Sequence, residues 1–330
     1  MRSSRMLMRF VLCVVVFVTL SGCGFFINRI PPGQMSRPTP FAQDHFIKVG
    51  DVNYHYAEYP AKGPNILLVH GFASSSYSWE SVAPLLQKQG YHVYALDMKG
   101  FGWSDKPLNS QYDTLTLMYR VKDWMDAVGL KKVIYVGNSL GGAVGVLMTI
   151  EFPRKIDKLV LIDAGGYPMK MPMIIRLSAI PGSTFVTKAF FGKWVLSWNL
   201  KEVFYHKDWV SQDRIDNYYV RLATPGAIDA QASLISTLDF NAFHRFIERI
   251  PYVKTPTLII WGRDDVWIPL ENGYKFRKEL VNSVLCIIPE CGHVPQEEHP
   301  AVTAKLIIDF LNKKIVKDMV LPPSSVKPNT

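Results

Sequence analysis

Hydrophobic positions fall into two alternating periods over most of this chain. Residues 65–70, 92–97, 133–136, 159–163, 257–262 and 283–288 are short runs, apolar almost throughout, as strands buried on both faces are. Between them, 79–89, 114–128, 143–150, 271–280 and 301–311 carry apolar residues at helical spacing. In the second of these, Leu117, Val121, Trp124, Met125 and Val128 share one face and Gly129 stops the helix. Ahead of the series, 46–49 and 52–56 flank Gly50-Asp51 as a β-hairpin. The alternation predicts an α/β domain with a mostly parallel sheet of eight strands, hairpin included, flanked by helices.

The rhythm breaks near Gly165. Residues 167–250 show only short helical runs rich in aromatics, among them Phe185, Phe190, Phe191, Trp194, Trp198, Phe204, Tyr205, Trp209, Tyr218 and Tyr219, and the strand pattern returns at Thr257. A mostly helical cap is therefore expected as an insertion, dividing the α/β core into 45–166 and 251–313. The tail, 314–330, holds Pro322, Pro323 and Pro328 and is expected to be disordered.

At the N-terminus, arginines precede an apolar stretch from Phe10 to Leu20, too short to span a bilayer comfortably and suited to the core of an export signal. It ends in Leu20-Ser21-Gly22-Cys23, which resembles the lipobox of bacterial lipoproteins. The resemblance implies a signal peptide over 1–22, a lipidated Cys23, and placement on a membrane of a bacterial cell envelope; a retained signal anchor is the alternative. Residues 23–44, rich in proline and without periodicity, read as a tether.

The formal charge is +9, of which Arg2, Arg5 and Arg9 contribute three, leaving +6 (9 − 3) after export. That charge is spread along the chain, and the absence of a Lys/Arg run argues against a nucleic-acid partner. Cys286 and Cys291 remain in the folded part. On an extended chain they stand too far apart to bridge, so both are expected to be free, buried thiols.

The candidate chemistry centres on Val133-Ile134-Tyr135-Val136-Gly137-Asn138-Ser139-Leu140-Gly141-Gly142, where an apolar strand runs into Gly-x-Ser-x-Gly and then a helix. A serine at such a turn is pushed out towards substrate, and the next amide, of Leu140, faces the place where an oxyanion forms. Serine needs a general base, and that base an orienting acid. Loops at the carboxyl ends of the strands offer candidates. Asp264 and Asp265 follow Trp261-Gly262, with the spacing favouring Asp265; Asp163 is the runner-up acid. His293 follows the last parallel strand, with His299 its competitor in a capping role. His70-Gly71-Phe72 would supply the second oxyanion donor through the Phe72 amide, with His70 bracing the loop. Asp97 and the Gly100/Gly102 loop read as the structural floor of the site. No metal or organic cofactor is called for.

In order, His70-Gly71, Gly100-Phe101-Gly102-Trp103-Ser104-Asp105, Gly137-Asn138-Ser139-Leu140-Gly141-Gly142, Trp261-Gly262-Arg263-Asp264-Asp265 and Gly292-His293 resemble the α/β-hydrolase superfamily in its cap-bearing branch, over roughly 46–312. The resemblance implies the α/β-hydrolase fold and a Ser139–His293–Asp265 triad. Dehalogenases and epoxide hydrolases of the branch carry aspartate where Ser139 stands, so serine suits acyl chemistry instead. Gly-Asn-Ser-x-Gly-Gly is similar to the carbon–carbon-bond hydrolases of ring-fission products. Those enzymes, however, carry a glycine-rich loop where this chain has Ala73-Ser74-Ser75-Ser76, and usually a tryptophan in place of Val294. The expected activity is hydrolysis of an apolar carboxylic ester of moderate size, the cap aromatics lining its acyl pocket. Carbon–carbon hydrolysis is one alternative, and a ligand-binding or signalling protein with negligible turnover is another.

Overall fold

The structure, a computed structural model, describes residues 37–168, 192–237 and 246–322. The leader, Cys23, most of the tether, and Phe185, Phe190 and Phe191 lie outside them. Among these residues nine strands form one sheet: β1 (Gln43–Val49), β2 (Val52–Tyr59), β3 (Asn65–Val69), β4 (His92–Leu96), β5 (Val133–Asn138), β6 (Ile156–Ile162), β7 (Thr257–Gly262), β8 (Ser283–Ile288) and β9 (Met319–Val320). Their spatial order is β1-β2-β4-β3-β5-β6-β7-β8-β9. The hairpin strands and the β2–β4 pair are antiparallel, and every other pairing is parallel.

The helices are α1 (Ala83–Lys88), α2 (Thr114–Ala127), α3 (Leu140–Glu151), α4 (Lys193–Val203), α5 (Gln212–Leu222), α6 (Ala227–Ser236), α7 (Glu271–Glu279), α8 (Pro295–Glu298) and α9 (Pro300–Leu311). Successive residues of each central strand feed opposite faces of the sheet, which is why the strands are apolar throughout. Leu67, Val69, Tyr135, Leu159, Leu161, Ile259 and Trp261 pack with Leu117, Val121 and Trp124 of α2, Val144 and Leu147 of α3 and Phe276 of α7. Ile66, Leu68, Ile134, Val136, Val160, Ile162, Leu258 and Ile260 pack with Leu86 of α1 and Ile307 of α9.

Two expectations are corrected. The helix read over 79–89 divides into a 3-10 turn, Ser76–Trp79, and the shorter α1, whose start is set by Pro84. The C-terminal tail does not begin as disordered chain, because Met319–Val320 adds a ninth strand beside Cys286 and Ile287. Asp318 holds it there: its carboxylate accepts from the Leu285 amide at 2.9 Å and from Arg277 Nε at 2.7 Å.

The described part of the cap has its own small core. Leu196, Leu200 and Val203 of α4 and Ile215, Tyr218 and Leu222 of α5 meet Tyr77 and Val294 of the sheet domain. Trp194 and Trp198, by contrast, are 72% and 53% exposed, so they do not face the site. Among the described residues no helix is long and apolar enough to cross a membrane.

Candidate active site

Successive connections diverge between β3 and β5: the chain leaves β3 towards β4 and leaves β5 towards β6. Parallel sheets bind ligands in the crevice that opens at such a point. Phe72 follows β3 there and Ser139 follows β5.

Ser139 sits at φ 53°, ψ −116°, a conformation costly for a residue with a side chain. Its amide donates to the Ile162 carbonyl at 3.0 Å, and its carbonyl accepts from Gly165 and Ala143, so neighbouring backbone over-determines the turn. The glycines are required by contact. A Cβ on Gly137 would lie 2.3 Å from the Gly141 carbonyl oxygen, and one on Gly141 2.2 Å from that of Val69. Strand and helix therefore approach more closely than any side chain permits, and Ser139 projects from their junction.

Asp265 and His293 meet as the loop spacing predicts. His293 Nδ1 lies 2.7 Å from Asp265 Oδ2, with both residues buried. The other aspartate oxygen accepts from the Trp267 and Ile268 amides at 2.7 and 3.0 Å, which aims the carboxylate at the histidine. Since the carboxylate can only accept, Nδ1 carries the proton and Nε2 is left with its lone pair. Asp264 turns instead to the histidine loop, accepting from the Glu290 amide at 2.9 Å. His299 donates through Nε2 to the Glu290 carbonyl at 3.1 Å and is not among the residues lining the cavity described below.

Asp163, at the end of β6 with φ 42°, is fully buried beside this pair. Burial first, and then the Asp265 carboxylate, push its pKa well above the usual carboxylate range.

Ser139 and His293 line one cavity of about 80 Å³, together with Gly71, Phe72, Ser74, Asn138, Leu196, Asn199, Leu200, Val203, Tyr218, Trp267 and Val294. Its apolar wall comes from the inner face of α4, from Val294 and from Phe72. Of the cap aromatics expected to line the pocket, Tyr218 is the one that does so among the described residues. Trp267 stacks on the His293 ring with centroids 5.9 Å apart.

The Phe72 and Leu140 amides donate to no other protein group among the described residues. Leu140 opens α3, whose N-terminal dipole favours negative charge at that spot. His70 braces the Phe72 loop. Its Nε2 accepts from the Met98 amide at 3.1 Å, which leaves Nδ1 to donate to the Gly71 carbonyl at 2.7 Å. Burial holds this imidazole below its usual pKa, in keeping with a neutral ring.

Asp97 accepts from the Ser76 and Trp103 amides at 2.6 and 2.7 Å and from His55 Nδ1 at 2.7 Å. Burial works against its charge, but His55 and these donors hold its pKa below the usual range. It joins the loop after β3 to the glycine-rich loop after β4, the structural floor expected of it. Cys286 and Cys291 are free and buried; burial raises the Cys286 thiol to about 12 and Cys291 well above its usual range, which keeps both inert.

Three contributions to the site carried little signal in the sequence. Asn138 donates through Nδ2 to the Ile162 and His293 carbonyls, each at 3.1 Å, tying the serine turn to the histidine loop. Glu298 accepts from the Gly292, His206 and Tyr205 amides at 2.7, 2.6 and 3.2 Å, fastening that loop to the cap. The His293 amide itself donates to the Val203 carbonyl at the end of α4 at 2.8 Å. Their signal was proximity to the motif and two adjacent acidic residues, Glu297 and Glu298, that turn out to be buried. Glu298 also lies with His206 and His299 in a group whose potential ligand atoms are within 4.8 Å of one another, a spacing shared by Asp163, Asp265 and His293.

Comparison with known proteins agrees with this architecture. The profile of the alpha/beta hydrolase fold matches residues 64–300. An uncharacterized hydrolase, YugF, of Bacillus subtilis (strain 168) is 31% identical over 274 residues, spanning 80% of this chain and 96% of its own. The 2-hydroxy-6-oxo-6-phenylhexa-2,4-dienoate hydrolase of Comamonas testosteroni is 27% identical over 279 residues, spanning 81% of this chain and 93% of its own. A solved structure described as a membrane phospholipase A, a bacterial virulence factor, superimposes with a TM-score of 0.67 at 25% identity, covering 92% of this chain and 98% of that one. With its sheet order, its turn at Ser139 and its matched profile taken together, the chain belongs to the alpha/beta hydrolase family.

Proposed function

We propose that this protein is a serine hydrolase that cleaves apolar carboxylic esters through an acyl-enzyme and is tethered to a membrane by a lipidated Cys23. The observation that carries the reading is the cavity shared by Ser139 and His293, with the histidine held at Nδ1 by Asp265, 2.7 Å away. Ser139 Oγ attacks the ester carbonyl and its proton passes to His293 Nε2. Asp265 keeps the imidazole oriented and stabilises the imidazolium. The Phe72 and Leu140 amides receive the oxyanion, each contributing on the order of 3 kcal/mol to the barrier reduction. His293 then protonates the departing alcohol, and water, activated by the same base, releases the acid.

The apolar wall of the cavity suits an acyl group. Carbon–carbon hydrolysis, supported by the names of relatives such as the Comamonas enzyme, uses the same serine and histidine. The dienoate in that name is an anion, whereas His293 is the only ionisable side chain among the described lining residues besides the Tyr218 phenol. A neutral ester fits such a lining better. The tether is supported by Leu20-Ser21-Gly22-Cys23 and by the likeness to a protein described as a membrane phospholipase A.

Steady-state assays with a chain-length series of chromogenic esters beside a ring-fission diketone separate the two activities. Ester turnover that rises with acyl length and vanishes in Ser139→Ala is expected. Turnover of the diketone alone would transfer the site to carbon–carbon chemistry. Mass spectrometry of protein from membranes, with acyl groups on an N-terminal Cys23, tests the anchor; an unmodified, uncleaved N-terminus contradicts it.

A further inference from the structure

The Asp265 and His293 pair has a third member. Asp163 is fully buried, and one of its oxygens lies within 4.8 Å of the facing Asp265 and His293 atoms. After burial, the Asp265 carboxylate is what most disfavours charge on Asp163. Two carboxylates cannot both ionise in so dry a place, because neither has water to screen the other.

The donors decide where the shared proton goes. Asp265 receives three hydrogen bonds, from the Trp267 and Ile268 amides and from His293 Nδ1. Among the described residues Asp163 receives one, from the Gly262 amide to Oδ1 at 3.0 Å, and its Oδ2 is buried with no donor from them within reach. Negative charge therefore belongs on Asp265 and the proton on Asp163 Oδ2. The remaining ionisable groups that face Asp163 do not change this. Glu298 is anchored to the Gly292, His206 and Tyr205 amides, and Cys291 is a neutral thiol.

We propose that Asp163 is a neutral carboxylic acid that donates its Oδ2 proton to Asp265 and so acts as a positioning residue for the triad. This rests on the serine-hydrolase reading above. With the fourth donor in place Asp265 is locked in orientation. Held in that orientation, Asp265 accepts from His293 Nδ1, so that when His293 takes the serine proton the imidazolium keeps its own Nδ1 proton. Asp163 is not among the described residues that line the cavity.

The parent enzyme and Asp163→Asn and Asp163→Leu variants test the assignment. Asparagine keeps an acceptor for Gly262 and supplies an N–H to Asp265, so it mimics the neutral acid; leucine supplies neither. Expected are kcat within about 3-fold of the parent and an unmoved acid limb of the kcat/KM profile for Asp163→Asn. For Asp163→Leu, a loss of about 10-fold is expected, with the acid limb moved to higher pH, because an Asp265 relieved of one donor favours the imidazolium more strongly. If Asp163 were ionised in the parent, Asp163→Asn would remove a negative charge beside His293 and move the limb to lower pH, which would overturn the proposal.

Difference infrared spectra decide the protonation state without turnover. A protonated-carboxyl stretch present in the parent at neutral pH and missing from Asp163→Asn is expected. Its persistence in that variant, or its absence from the parent, counts against the assignment. Should Asp163→Asn not fold, Asp163→Leu takes its place: the band is expected to be missing there too, and its persistence counts against the assignment. A parent without Ser139-dependent hydrolysis would sink the hydrolase reading, and the spectra would still report on Asp163.

Discussion

The Asn138 side-chain amide donates to the backbone carbonyl of His293 across 3.1 Å, joining the turn that carries the candidate nucleophile to the loop that carries the candidate base. The same nitrogen donates to the Ile162 carbonyl, one residue before Asp163. One side chain thus spans three of the loops from which the site is assembled. Replacing it should disturb geometry before it disturbs folding. Asn138→Ala is expected to lower kcat by roughly 10-fold, about 1.4 kcal/mol of barrier, with a smaller change in KM. Asn138→Asp, which sets an acceptor against two carbonyl oxygens, should fall further. Steady-state kinetics on the ester that the parent turns over best are the check.

The close approach of α3 to β5 and to β3 gives a stability prediction. An alanine at Gly137 or Gly141 must move backbone, since the atoms met at 2.3 and 2.2 Å are main-chain carbonyl oxygens. Each substitution is expected to cost about 3 kcal/mol, at the upper end for overpacking. Urea unfolding followed by circular dichroism measures it; a loss under 1 kcal/mol would mean that the elbow relaxes freely.

Much of this site was legible in the chain. Ser139, Asp265 and His293 stand at the ends of apolar strands, and a parallel sheet brings the ends of its strands to one edge, so the order of motifs alone placed all three. Asp264 and Asp265 could be told apart only by spacing, and the structure separates them by which loop each carboxylate faces. The support around these three residues was less legible. Asn138, Glu298 and Asp163 act through backbone amides and carbonyls from distant segments, and no local pattern records such partners. Asp163 was readable as a spare acid, but its protonation depends on how many donors reach each of two carboxyls. The ninth strand was hidden for a similar reason. Two residues carry no period, and what pins them is the Asp318 carboxylate on a neighbouring amide.

That anchor can be tested on its own. Asp318→Ala removes hydrogen bonds to the Leu285 amide and to Arg277 at the edge of the sheet, remote from Ser139. A loss of about 1–2 kcal/mol in unfolding free energy is expected, with kcat and KM unchanged. Faster hydrogen exchange at the Leu285 amide would localise the effect.

Glu80 predicts how stability varies with pH. Burial raises its pKa to about 7, against the hydrogen bond from Tyr77 and the charge of Arg214, which favour the ionised form. Between its ordinary value near 4.5 and about 7, the folded protein keeps a proton that the unfolded chain releases. The contribution of this group therefore falls as pH rises through that window and is constant above it. For a side chain that is not fully buried the effect is of the order of 2 kcal/mol. Comparing thermal unfolding at pH 5 and pH 8 in the parent and in Glu80→Gln checks it. The variant should show a smaller difference between the two pH values, and an equal difference would assign the dependence to other groups.

The most direct test of the central claim is covalent. Intact-mass analysis after reaction with a fluorophosphonate should show a single adduct on the parent, none on Ser139→Ala, and an adduct formed at least about 100-fold more slowly on His293→Ala, as loss of a general base requires. Labelling of Ser139→Ala as strong as that of the parent would contradict the assignment of Ser139 as the nucleophile, and with it the acyl-enzyme mechanism.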